Sequence, residues 1–258
     1  MTSAQTSKSR GGKNPDLAGG IACSPARSQV AGKATPNFTD KDGLILENVH
    51  VQLVFWGSAW GTSGDHPTIG DVTNAVASIL SGPYMRLLDQ YRHIGNGILN
   101  GTTSVITPKA NRPADPPNPF SKNDVPTLIA NLINSGTIPD PASNNQLLYC
   151  VIMPPGVNYT KGYIIGWHSF FELGDQKVHY AWVNNDGTLA SITRVFSHEL
   201  VESCTDPEGT AILDTTGTCR GGSWCEIGDV CEKQVKVVDG ITVQSYWSQQ
   251  DGICVVPT

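Results

Sequence analysis

Charged side chains are scarce in this chain. Lys and Arg number 17 and Asp and Glu 23 among 258 residues, or 16% together, where an ordinary soluble domain carries about 25%. The balance is acidic and no basic stripe occurs, which argues against a nucleic-acid partner. No apolar run reaches the length that a membrane-spanning helix needs. Heptads and polar low-complexity stretches are also missing, so the chain is neither a coiled coil nor disordered throughout. The lack of a CxxC pair argues against thiolate zinc fingers and thioredoxin-type redox chemistry. GxSxG, P-loop and GxGxxG patterns do not occur. The first residues are basic but lack an apolar stretch, so no signal peptide is visible.

What charge there is lies unevenly. Residues 1–42 carry a net +3, so the rest of the chain carries −9, and −7 of that falls between His198 and Glu232. Carboxylates this dense repel one another unless countered. They read either as a solvated acidic surface or as a site for a cation. Five of the seven cysteines lie in the same part of the chain (Cys204, Cys219, Cys225, Cys231, Cys254), with Cys23 and Cys150 before them. Disulfides in an oxidising compartment are expected, with Cys23 as the thiol left over. The expected pairs are Cys231 with Cys254, Cys219 with Cys225, and Cys150 with Cys204. An extracellular location follows from that reading. A cytoplasmic chain with reduced thiols is the alternative that the missing signal peptide leaves.

Residues 1–42, rich in Ser, Gly, Lys and Ala, read as a disordered basic arm before a single domain, 43–258. Val49 to Trp56 and Leu147 to Met153 are apolar runs expected as buried strands. Gly162–Trp167 and Val178–Val183 are two more, joined around His168 to Asp175. Asp71 is expected to cap a helix with Val72, Ala75, Val76, Ile79 and Leu80 inward. A second helix follows Asn123 or Asp124, with Pro126 in its first turn. A third runs from about Leu189 to Cys204 and stops before Pro207. Strand-like pieces at 234–238, 241–247 and 253–256 close the chain. This order predicts an α/β fold, a mixed sheet flanked by helices.

The third helix carries the chemistry. His198 and Glu202 stand at i and i+4, on one face, with Glu199 one step round. This is the HExxH metal helix with Glu in place of the second His, an HExxE motif. Zinc accepts a carboxylate oxygen at nearly the distance of an imidazole nitrogen, and the harder Ca and Mn also suit a carboxylate. A third ligand is needed, from Asp206, Glu208, Asp214, Glu226 or Asp229. Glu226 is favoured, because Cys225 to Cys231 brackets two carboxylates around Gly228. Asp229 would then orient His198 through its other ring nitrogen, and Glu199 would be the general base of a zincin-like metal helix. Asp206 remains an alternative ligand, or simply a turn residue with Pro207. His168, in an expected turn, could polarise a substrate carbonyl; Tyr180 is a weaker candidate.

The strings Asn48-Val49-His50-Val51-Gln52-Leu53-Val54-Phe55-Trp56-Gly57, Gly166-Trp167-His168-Ser169, Tyr180-Ala181-Trp182-Val183, Ser197-His198-Glu199-Leu200-Val201-Glu202, Thr205-Asp206-Pro207 and Glu226-Ile227-Gly228-Asp229-Val230-Cys231 occur in this order. In this the chain resembles the Exordium-like, phosphate-induced proteins of plants and their bacterial and fungal relatives, over roughly residues 45–256. The resemblance implies a secreted, wall-associated protein and supports the same site residues, but it names no reaction. The expected function is a metal-dependent hydrolase, zinc metallopeptidase-like, acting on a peptide or cell-wall substrate. The rival is a non-enzymatic wall or carbohydrate-interacting protein with a structural Ca site, its sugar contacts made by Trp56, Trp60, Trp167 and Trp224.

Overall fold

Largely apolar runs on neighbouring strands build a sheet with a core on each face. The computed structural model describes residues 20–22, 35–64, 66–109, 112–214, 216 and 226–258. Its strands are β1 (Gly20–Ala22), β2 (Phe38–Asp40), β3 (His50–Trp56), β4 (Ile98–Val105), β5 (Leu147–Ile152), β6 (Ile164–Leu173), β7 (Gln176–Val183), β8 (Ile212–Asp214), β9 (Val235–Val238), β10 (Ile241–Gln244), β11 (Tyr246–Ser248) and β12 (Ile253–Val255). The helices are α1 (Ile69–Ser81), α2 (Asp124–Asn134) and α3 (Leu189–Thr205). The main sheet has the order β1-β6-β7-β5-β3-β4. Strands β4, β3, β5 and β7 run parallel, while β6 and β1 are antiparallel additions. The fold is the mixed α/β arrangement that the order of apolar segments predicts.

Strand periodicity sends successive side chains to opposite faces. On β3, Val51, Leu53 and Phe55 enter one core with α1 and α3, while Val54 and Trp56 enter the other with α2. Burial on both faces is why β3 and β5 read as continuous apolar runs. Helix α1 starts one turn earlier than expected. Thr68 is its cap, accepting from the Asp71 N–H, and Asp71 answers by accepting from the Thr68 N–H in a capping box.

Several expectations are corrected. Strand β4 was not anticipated, because Ile98–Val105 is a half-exposed edge strand with no apolar run. Strand β2, before residue 43, pairs with β8, and β1 pairs with β6. The remainder of the basic arm lies outside the described residues. His168 is not in a turn. Strand β6 continues to Leu173, and the turn is Gly174-Asp175, where Gly174 takes a positive φ of 62°. Cys231 and Cys254 are bonded as expected, but Cys150 and Cys204 are separate buried thiols. Burial raises the pKa of both thiols, so they serve the core as small apolar groups. Cys23, Cys219 and Cys225 lie outside the described residues. Trp56 and Trp60 are core residues and Trp167 is half-buried, so they form no exposed aromatic surface; Trp224 is not described.

Candidate metal centre

Helix α3 is buried on nearly every side. Thr188 caps it, accepting from the Ser191 N–H at 3.2 Å, and Asp186 accepts in turn from the Thr188 N–H at 2.9 Å. One flank packs on β6 and β7 and another on β10. These neighbours receive the motif residues. Glu199 points to β6 and His198 to the segment around Gly228 and Gln244. Glu202 lies one turn along from both, at i+3 from Glu199 and i+4 from His198, so it stands between them.

His168 reaches the site from β6. It opposes Ala181 across the hairpin, and Ala181 belongs to the core on the α3 face. His168 therefore faces α3. Its Nδ1 lies 3.2 Å from Glu199 Oε2 and 3.6 Å from Glu202 Oε2. Its Nε2 lies 3.1 Å from Glu226 Oε1 and 3.4 Å from the Asp206 carbonyl oxygen. On the other side of Glu202, His198 Nε2 lies 3.0 Å from Glu202 Oε1 and 3.8 Å from Asp229 Oδ1. Two groups of possible ligands result: His168, Glu199 and Glu202, and His198, Glu202 and Asp229.

The expected trio of His198, Glu202 and Glu226 is not one of them. Glu226 lies against His168 instead, and Asp229 joins His198 and Glu202. Asp229 also lies on the Nε2 side of His198, so it does not orient the ring through the other nitrogen. That nitrogen, Nδ1, meets the Gln244 side-chain amide at 2.6 Å. Gln244 was missed by sequence reasoning; the only signal was an inward-facing amide in an otherwise apolar strand run. Polarising a substrate carbonyl requires a ring nitrogen facing open space, whereas both nitrogens of His168 face protein groups. Asp206 takes the turn role and belongs to neither group of possible ligands. One oxygen accepts from the N–H groups of Thr210 and Ala211 at 2.6 and 2.7 Å, turning the chain after the helix, and the other is buried with no hydrogen-bond partner. Glu208 pairs with Lys177 and His179, away from the site. Tyr180 faces the α2 core.

Two glycines make room for these side chains. A Cβ on Gly166 would fall 2.3 Å from Glu199 Oε1, and one on Gly228 would fall 2.8 Å from Glu202 Oε1 and 2.9 Å from His198 Nδ1. Burial is nearly complete: His168, His198, Glu199 and Glu202 are each at most 1% exposed, while the Asp229 side chain is 27% exposed. Asp229 is therefore the edge of the site nearest solvent.

Burial dominates the electrostatics. It raises the Glu199 pKa, against the pull of its bond to His168. Glu202 is pushed well above the carboxylate range by burial, with the Asp229 and Glu226 charges adding to it. Asp206 and Asp229 rise to about 7, chiefly from burial. Burial opposes a charge on His168, yet Glu226 and Glu199 carry its pKa well above the ordinary imidazole range. Carboxylates buried at this density require protons or a cation.

His198 Nε2, Glu199 Oε1, Glu202 Oε1, Glu226 Oε1 and Asp206 Oδ2 are all buried without a well-aligned hydrogen bond, although His198 Nε2 and Glu202 Oε1 face each other at 3.0 Å and Glu226 Oε1 lies 3.1 Å from His168 Nε2. Such orphans are rare in folded chains, and a cluster of them requires an explanation. Tetrahedral zinc with bonds of about 2.0–2.2 Å has donors roughly 3.3–3.6 Å apart; the two spacings from His198 Nε2, 3.0 and 3.8 Å, lie on either side of that range. No family model matches the chain, and neither does any curated protein or solved structure. Among the described residues, no helix is long and apolar enough to cross a membrane.

Proposed function

We propose that this protein is a metal-dependent hydrolase, zinc metallopeptidase-like, that cleaves a peptide or amide bond, with a wall-associated peptide as its substrate class. The observation that carries the reading is the cluster of buried, unpartnered donor atoms on and beside α3. His198 Nε2, Glu202 Oε1 and Asp229 Oδ1 are the ligands, with Asp229 taking the role first expected of Glu226. A bound divalent cation supplies a Lewis acid and acidifies water. Glu199, whose Oε1 has no partner, takes the proton of the attacking water. Ligation through Nε2 requires the Gln244 amide behind His198 to present its oxygen to the Nδ1–H, and substrate approaches past Asp229, the part-exposed member. The Cys231–Cys254 disulfide supports an oxidising, extracellular compartment, in keeping with the resemblance to the Exordium-like proteins.

Elemental analysis and peptidase assays on the purified protein test this. Zinc or manganese is expected, lost on Glu202→Ala. Glu199→Gln is expected to keep a cation at His198, Glu202 and Asp229 and to lose hydrolysis by about 10²–10⁴-fold. A protein that binds no divalent cation would sink the reading. A structural cation is the second reading, favoured by the near-complete burial of four of the site residues. It predicts bound metal with no hydrolysis and no effect of Glu199→Gln beyond stability.

A further inference from the structure

Glu202 offers a different oxygen to each histidine. Oε1 lies 3.0 Å from His198 Nε2, and Oε2 lies 3.6 Å from His168 Nδ1. Both groups of possible ligands include it. We infer that the centre holds two divalent cations side by side with Glu202 bridging them: one at His198, Glu202 and Asp229, the second at His168, Glu199 and Glu202. This deepens the hydrolase reading and rests on it.

Two observations support a second position. The first is the orientation of His168. His168 Nε2 faces two acceptors, Glu226 Oε1 at 3.1 Å and the Asp206 carbonyl oxygen at 3.4 Å, so a neutral ring with its proton on Nε2 carries a lone pair on Nδ1. That lone pair faces Glu199 Oε2 at 3.2 Å as well as Glu202 Oε2. A lone pair and two carboxylates aimed at one point repel unless a proton or a cation lies among them. An outward partner on the opposite ring nitrogen is also what a metal-ligating histidine normally has. The second is charge. Glu199, Glu202, Asp206, Glu226 and Asp229 crowd together with two imidazoles, and four of these five carboxylates are buried. With neutral imidazoles, one divalent cation leaves the cluster at a formal −3 and a second leaves it at −1. Two-metal hydrolytic sites hold their ions about 3.5–4 Å apart, a spacing that one bridging carboxylate spans. Glu199 would ligate through Oε2 and keep Oε1 for the proton.

The competing state is a single cation with His168 protonated between Glu199 and Glu226. Equilibrium dialysis of the full chain against Mn²⁺, followed by electron paramagnetic resonance of the loaded protein, separates the two. Two manganese ions per chain with an exchange-coupled spectrum are expected. His168→Asn is expected to bind one, with the six-line spectrum of an isolated ion. If that variant does not fold, Glu199→Gln serves: its first cation is retained and its second binding step weakens about 10–100-fold. One manganese per wild-type chain overturns the second position and leaves the single-cation hydrolase standing. None overturns both. Two ions with uncoupled spectra overturn the bridged arrangement.

Discussion

Single atoms decide the chemistry at the smallest scale. Glycine at 166 and 228 is required because a Cβ there would collide with Glu199 and Glu202. Gly166→Ala is expected to destabilise the protein by about 1–3 kcal/mol, the usual cost of overpacking, and to displace Glu199. Thermal unfolding and cation affinity measured on the same variant check this, and an unchanged affinity would contradict the geometry. Gln244 acts on His198 from behind. Its backbone N–H donates to Ser197 Oγ at 2.9 Å, and Tyr84 donates to the Gln244 carbonyl at 2.8 Å, so the amide has little freedom to leave the ring. Gln244→Leu is expected to weaken cation binding about 10–100-fold while leaving the fold intact, as read by titration calorimetry and circular dichroism. A variant with wild-type affinity would show that Gln244 does not orient the histidine.

Among the elements, α3 and the segments that grip it determine where the site lies. The disulfide joins Cys231, just after Asp229, to Cys254 on β12, tying the acidic segment to the C-terminal hairpin. Replacing both cysteines by serine is expected to cost about 2–4 kcal/mol and to weaken cation binding through Asp229; a loss of stability without any loss of affinity would separate the clamp from the site. The helix and the central strands were legible because their patterns are local: apolar runs for β3 and β5, and the i, i+4 spacing of His198 and Glu202 for α3. The partners of those residues were not. Whether Glu226 or Asp229 meets His198 depends on how a Gly-containing loop turns after a sheet has formed. Likewise the local string around His168 predicts a turn, whereas pairing with β7 carries the strand on to Leu173. Strand β4 had no local signal, since an edge strand need bury only part of its surface.

At the scale of the whole molecule, the thin and uneven charge becomes a statement about stability. The raised pKa values of Asp206 and Asp229, about 7 against 3.8, mean that the cation-free fold prefers these groups protonated. Their contribution is fully present below the unfolded value and lost as pH rises through about 7; Glu199 and Glu202 shift in the same direction. Cation-free protein is therefore expected to melt at lower temperature at pH 8 than at pH 5, and saturating zinc or manganese to reverse that trend. Glu208 has the opposite sign: its bond to His179, and then Lys177, depress its pKa, so what it adds is lost on acidification. A melting temperature for the cation-free protein that rises steadily from pH 5 to pH 8 would contradict the buried-carboxylate account. The most direct measurement is an anomalous difference map at the zinc edge from crystals of the zinc-loaded protein. A peak within about 2.0–2.2 Å of His198 Nε2, Glu202 Oε1 and Asp229 Oδ1 is predicted; a map with no peak against α3, or with zinc only on surface side chains, would contradict the metal centre.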